Sequence, residues 1–372
     1  MAAGLRDGGF QGEVVVVCGE PEMPYERPHL SKGFLLGTVP RERLGLRPPA
    51  QYRELGVELL LGRWVTELDL EQHKVVLESG DTVAWDLLCI ATGSSARRLA
   101  GFDDAIYLRE LPDALQLRAI LERGARLDVV GAGFIGCEVA AAARQRGSAV
   151  RVFEALPQPM QRVLGEELGG YLADVHRRHG VDLHLESSPP VELARSVVVG
   201  VGSMPRTDLA NAAGIVVDDG IQVDEQGRTS VPGVYAAGDV TRFWSPLFEA
   251  RIRVEHFQTA QRQGFAVGKA MAGRGEPFAE APWFWSDQYE LNLQYAGAGL
   301  EWDAAVTRGT FGQPPFSIFY LREGRLIGVV GVNDRHTVSR SKHAMEARAQ
   351  ITVQQLADPA FDLRRAIRRS QG

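Results

Sequence analysis

Cysteine is scarce: the 372 residues hold three, Cys18, Cys89 and Cys137, and no two are spaced C-x-x-C. This excludes a disulfide framework and a zinc ribbon, and it suggests a reducing compartment. Long apolar runs are missing too. None approaches the ~18 residues of a membrane span, and the opening "MAAGLRDGGFQG" has no apolar leader core, so a cytoplasmic protein with no membrane partner is expected. Charge of one sign is not in excess either. The formal net charge of −6 argues against wholesale nucleic-acid binding and leaves room for a local basic face. No repeat of 20–50 residues and no metal-ligand cluster is visible.

The length favours two or three domains. Short apolar strands ("EVVVVC", "DLLCIATG", "RLDVV", "AVRVFE") alternate with helical patterns ("LPDALQLRAILERG", "FIGCEVAAAARQRG"). That alternation predicts parallel α/β layers covered on both faces. Between them "VELLLGRWVTELDLEQHKVVLESGDTVAWDLL" alternates with period 2 and turns at "SGDT", so antiparallel hairpins are expected there. The segment "FSIFYLREGRLIGVVGVN" predicts two strands about a turn, followed by the helical "KHAMEARAQ" in a separate α+β unit.

The strongest motif is "RLDVVGAGFIGCEVAAAARQRGSAVRVFEA". Gly131, Gly133 and Gly136 follow a strand and open a helix, with Phe134 and Ile135 at its first turn. Gly131 suits a tight turn, Gly133 a close approach of backbone to a pyrophosphate, and Gly136 close packing of helix on strand. The helix N-terminus offers N–H groups and partial positive charge to phosphates. Glu154 ends the next strand, where a carboxylate accepts ribose hydroxyls and repels a 2′-phosphate, favouring NADH over NADPH. A second motif, "TSVPGVYAAGDV", ends a buried strand at Gly238 and Asp239, with a helix expected next. An ordinary glycine-rich turn and an ordinary turn aspartate are the bland readings of the two.

Taken with "ATG" (Ala91, Thr92, Gly93), these motifs resemble the two-dinucleotide flavoprotein disulfide-reductase superfamily. "PYERPHLSK", "YLREL" and "APWFWSDQY" narrow the resemblance to the FAD-dependent NADH–ferredoxin reductases that serve oxygenases. The resemblance spans essentially the whole chain. It implies two glutathione-reductase-type Rossmann domains and a C-terminal α+β domain. The FAD domain would be discontinuous (1–101 and 213–275), the NAD domain would cover 102–212, and the last domain 276–372. It implies FAD and NADH as cofactors, a [2Fe–2S] ferredoxin as partner, and a monomer or homodimer.

It also implies roles. Glu20 would hold the adenosine ribose of FAD, Val65 would lie near its adenine, Arg27 would face its pyrophosphate, and Arg109 would be a further FAD contact. Asp239 would take the ribityl chain, Glu255, His256 and Phe257 would cap the pyrimidine end, and Trp285 would close over the ring. Lys32 would sit by flavin N5, paired with Glu138, and Val201 and Gly202 would meet the nicotinamide. Arg206 stands where asparagine is more usual. The family pattern opens with a strand and its own G-x-G-x-x-G, whereas "MAAGLRDGGF" reads as the back half of the helix after it. Roughly twenty residues are therefore expected upstream; otherwise the sheet lacks a central strand and FAD binding is weakened. A second shortening falls in "VDLHLESSPPVELARSVVVGVG", where "SSPP" reads as a loop. An NADH-binding relic without stable flavin, a rubredoxin reductase and an NADH oxidase are the competing functions.

Overall fold

The computed structural model describes residues 1–370, which form two compact units. The first comprises Met1–Glu26, Gly45–Ser95 and Pro205–Pro282. Its parallel strands come in two separate pairs, Val14–Cys18 with Val57–Leu61 and Leu88–Ile90 with Val234–Ala236. Two small three-stranded sheets complete it: the antiparallel Val65–Asp69, Lys74–Leu77 and Thr82–Ala84, and a mixed sheet of Ile221–Val223, Thr241–Ser245 and Ala250–Ile252. The helix Ala2–Asp7 lies so close to Phe257–Met271 that a Cβ on Gly4 would fall 2.0 Å from the Phe265 carbonyl oxygen.

Two expectations are corrected in this unit. "VELLL" is a parallel strand in register with Val14–Cys18, not the first arm of a hairpin. The reason is the helix Pro49–Glu54 ahead of it, which makes the stretch a strand–crossover–strand unit. Its single glutamate, Glu58, mimics period-2 alternation. After Asp239 the chain enters the strand Thr241–Ser245 and not a helix. Thr241, Phe243 and Ser245 are buried while Arg242 and Trp244 point outward, an alternation that only a strand provides.

The second unit comprises Arg27–Leu44, Ala96–Met204 and Trp283–Gly372. A four-stranded parallel sheet runs in the order Asp182–His184, Val150–Phe153, Leu127–Val130, Ser196–Val199. Leu127, Val129, Val152 and Val198 are buried to 2 % exposure or less, each contributing roughly 1.5–3 kcal/mol of burial. Helices Leu111–Glu122, Phe134–Gln145 and Glu166–Arg178 belong with it. The connection after His184 contains no strand before Ser196, as expected for the shortened segment. It is tied down by the buried Asp128, which takes Arg151 in a bidentate pair (2.8 and 2.5 Å) and the Ala194 N–H at 2.6 Å. A five-stranded antiparallel sheet follows, in the order Trp283–Gln288, Leu291–Gly297, Arg325–Val332, Phe316–Arg322, Ala304–Arg308. The helices Arg335–Glu346, Val353–Ala357 and Leu363–Ser370 close the chain.

Candidate functional site

In the second unit the strand Leu127–Val130 delivers the chain to Gly131, whose φ of 96° strains any other residue. A Cβ there would lie 2.5 Å from the Gly200 carbonyl oxygen, and one on Gly136 would lie 2.0 Å from that of Gly131. Both glycines are therefore required by close packing. Gly133 differs: a Cβ there would meet only the Gly200 carbonyl oxygen, at 3.8 Å, an ordinary van der Waals contact, so its backbone is uncrowded. Gly133 also caps the helix Phe134–Gln145 without any side-chain partner for the first-turn N–H groups. Such donors are what a phosphate takes. Phe134 meets Phe284 edge-on at 4.7 Å, whereas Ile135 is exposed.

Glu154, half-buried after Val150–Phe153, accepts the Ala132 N–H at 2.5 Å through Oε2 and the Leu156 N–H at 2.9 Å through Oε1. It ties the glycine loop to the next strand, and a carboxylate's remaining lone pairs still suit ribose hydroxyls. Val201 packs beside Val130 and Val199, and the Gly202 carbonyl accepts the Arg97 N–H at 2.9 Å. This donor set, with its uncrowded glycine, fits a nicotinamide dinucleotide.

The same unit brings Lys32 to Glu138. The lysine directly follows the short 3₁₀ turn Arg27–Ser31, and its Nζ lies 2.8 Å from Glu138 Oε2. Glu138 is only 3 % exposed. It also accepts Ser31 Oγ at 2.5 Å and Ser286 Oγ at 2.6 Å. Three donors on one buried carboxylate offset its desolvation, which an unpaired charge does not survive. Arg27 donates to the Arg109 carbonyl at 2.9 Å, and the Arg109 N–H reaches Asp113 at 3.0 Å. Trp285 is half-buried on Trp283–Gln288, stacked on Trp283 with centroids 5.5 Å apart.

The first unit holds the other expected residues. Glu20 accepts the Tyr25 hydroxyl at 2.6 Å, and Val65 opens the strand Val65–Asp69. Ala91, Thr92 and Gly93 follow Leu88–Ile90. Thr92 Oγ1 donates to the Arg206 carbonyl at 2.7 Å, and the Arg206 N–H returns to Gly93 at 2.9 Å. Gly238 (φ 82°) and Asp239 follow Val234–Ala236, with the Gly238 N–H held by Gln263 Oε1 at 2.7 Å. Glu255 pairs with Arg253, and His256 precedes Phe257 at the start of a 15-residue helix whose first-turn N–H groups have no side-chain cap. Burial pushes the His256 imidazole down to about 3, so it is neutral at pH 7. These groups fit the adenosine and ring ends of a flavin nucleotide. Among the described residues no glycine loop fits its pyrophosphate, so the flavin fit is partial.

Ser31, Ser286, Gln263 and Tyr25 were not anticipated. A signal existed for three of them: Tyr25 and Ser31 lie within "PYERPHLSK" and Ser286 within "APWFWSDQY". No cluster able to hold a metal ion and no helix long and apolar enough to cross a membrane occurs among the described residues.

Comparison with known proteins adds the following. Residues 1–264 match the model of pyridine nucleotide-disulphide oxidoreductases, and residues 283–367 match that of the reductase C-terminal domain. The ferredoxin–NAD(+) reductase component of the anthranilate 1,2-dioxygenase system of Burkholderia cepacia is 37% identical, over 98% of this chain and 95% of that protein. Putidaredoxin reductase of Pseudomonas putida is 32% identical over 99% and 93%. The crystal structure of the covalent putidaredoxin reductase–putidaredoxin complex superposes with a TM-score of 0.95 at 32% identity. That match covers 100% of this chain and 95% of that one.

Proposed function

Because the chain belongs to the pyridine nucleotide-disulphide oxidoreductases and carries the reductase C-terminal domain, we propose that it is an NADH–ferredoxin reductase. Electrons would pass from NADH, by way of FAD, to a [2Fe–2S] ferredoxin that serves an oxygenase, in the cytoplasm. The observation that carries the reading is the loop of Gly131, Gly133 and Gly136 latched by Glu154, in one unit with the buried Lys32–Glu138 pair. The similarity to oxygenase-system reductases along almost the full chain supports the partner. The domain division in this reading is FAD at 1–101 and 213–275, NAD at 102–212, and the C-terminal domain at 276–372.

FAD supplies the capacity to accept two electrons together and release them singly. The chain's own residues bind and orient. The helix at Gly133 takes the NADH pyrophosphate, and Glu154 takes the ribose and rejects a 2′-phosphate. Val201 and Gly202 shape the nicotinamide pocket, while Glu20, Val65, Asp239 and the start of the helix at Phe257 hold FAD. Arg27 would face the flavin pyrophosphate, Arg109 would be a further FAD contact, and Trp285 would close over the ring. Lys32, held by Glu138, presents a fixed positive charge; hydride transfer itself needs mainly positioning.

The test is absorbance near 450 nm of the purified protein, with and without added FAD, followed by NADH-dependent cytochrome c reduction. Stimulation by a [2Fe–2S] ferredoxin supports the reading. Flavin reduction by NADH that no such ferredoxin accelerates would sink the partner assignment, and a colourless protein that binds NADH would sink the enzyme.

A further inference from the structure

Behind Glu138 lies a run of buried polar side chains that binding of either nucleotide does not use. Ser286 is 0 % exposed, Gln288 1 % and His176 2 %. Four successive contacts link them: Ser286 Oγ to Glu138 Oε1 (2.6 Å), Gln288 Nε2 to Ser286 Oγ (3.0 Å), His176 Nε2 to Gln288 Oε1 (2.9 Å) and Tyr289 Oη to His176 Nδ1 (3.2 Å). They come from separate elements. Glu138 is on Phe134–Gln145, Ser286 and Gln288 share one face of Trp283–Gln288 two residues apart, and His176 is on Glu166–Arg178. Apolar residues of similar shape would fill such a core at no loss, so a polar chain here calls for a reason.

The chemistry fixes the direction of every bond. An amide oxygen only accepts, so His176 carries its hydrogen on Nε2 and its Nδ1 takes the Tyr289 hydroxyl proton. Gln288 is thereby locked with its NH₂ group toward Ser286. Ser286 Oγ, already accepting from that group, must donate to Glu138. Every dipole points the same way, ending on the carboxylate, and bonds in such a series polarise one another. Burial pushes the His176 imidazole down to about 4, the Gln288 contact opposing and nearby His179 assisting, so the ring stays neutral. The titratable groups facing the series are Lys32 and the buried Cys137 thiol at the Glu138 end, and Tyr289, His179, Glu290 and Arg144 at the other.

The geometry points to Ser286, Gln288 and His176 as positioning residues that keep the Glu138 carboxylate aimed at Lys32 for hydride transfer. This rests on the role proposed above for the Lys32–Glu138 pair. Cutting the series releases the Ser286 hydroxyl to rotate away and leaves Glu138 short of a donor.

Two measurements test it. In protein labelled with ¹⁵N-histidine, His176 should show the Nε2–H tautomer from pH 5.5 to 8, and Gln288→Leu should abolish that preference. This arm needs neither flavin nor ferredoxin. An Nδ1–H tautomer or titration near pH 6.5 would overturn the proposal. In stopped flow with FAD-loaded protein, Gln288→Leu and Ser286→Ala should each slow NADH reduction of flavin about tenfold. NADH affinity should hold, so the loss falls on the rate constant alone. Ser286→Thr should restore the rate, which a purely packing role does not require. A wild-type rate in Ser286→Ala would refute the assignment even if Gln288→Leu did not fold. Loss of ferredoxin stimulation alone would count against the partner and not against this series.

Discussion

Glu138→Gln isolates the electrostatic worth of one buried charge. Glutamine keeps an acceptor for Ser286 and nearly the same volume, so the packing loss is small. Lys32 then remains as an ammonium whose side chain is 11% exposed, without its carboxylate. Breaking a buried pair in this way costs about 3–5 kcal/mol. Lys32→Met is milder, because Glu138 retains the Ser31 and Ser286 hydroxyls at 2.5 and 2.6 Å; leaving a group one partner short costs about 1–3 kcal/mol. The double variant carries neither charge and should be more stable than Glu138→Gln alone. A coupling of about 2–3 kcal/mol is therefore expected between the two sites. Urea unfolding followed by tryptophan fluorescence, with six tryptophans as reporters, measures it. A loss below about 1 kcal/mol for Glu138→Gln, or additivity within about 0.5 kcal/mol, would refute the account of the pair.

Four further outcomes are expected. Glu154→Arg should lower kcat/KM for NADH at least tenfold while raising the relative use of NADPH, since charge at the ribose edge decides between them; unchanged kinetics with both nucleotides would place Glu154 elsewhere. Gly136→Ala should abolish NADH binding in calorimetry, because its Cβ would stand 2.0 Å from a backbone oxygen. For Asp128, burial pushes the carboxyl up, but the hydrogen bonds from Arg151 and Ala194 and the charges of Arg151 and Arg126 outweigh it and leave it lowered. That stability is present above the unfolded value of about 3.9 and is lost as pH falls through the folded value. Asp128→Asn should cost about 2 kcal/mol in urea unfolding at pH 7, and the cost should shrink as pH falls below about 3.9 toward the lowered folded value. For His176, lowered to about 4 by burial, stability present above about pH 6.5 should drain away down to pH 4, and His176→Gln should flatten that slope in thermal melts.

What could be read from the chain follows the range over which each feature is encoded. The fingerprint from Leu127 to Glu154 is legible because one turn, one helix and one strand end hold all its chemistry. The Thr241–Ser245 strand was misjudged because a parallel α/β scheme leads one to expect a helix after Asp239, although Thr241, Phe243 and Ser245 already alternate with Arg242 and Trp244. Val57–Leu61 was misassigned because Glu58 imitates a hairpin arm, while its true partner lies more than forty residues earlier. The Asp128 anchor and the Glu138 series escaped notice since residues bonded to one another in them stand up to 148 positions apart. Hints were present: an aspartate inside the otherwise apolar "LDVV", and Ser286 and Gln288 on alternate positions of a strand.

The helix that carries Glu138 is slender. Ala140, Ala141, Ala142 and Ala143 are each 2 % exposed or less, so over that turn methyl groups alone separate its backbone from what packs against it. A rod gripped so tightly has no slack to roll or bend about its axis. Any push felt by its first turn must reach the carboxylate one turn along as a displacement of the whole rod, which makes the glycine loop and the ion pair one mechanical part.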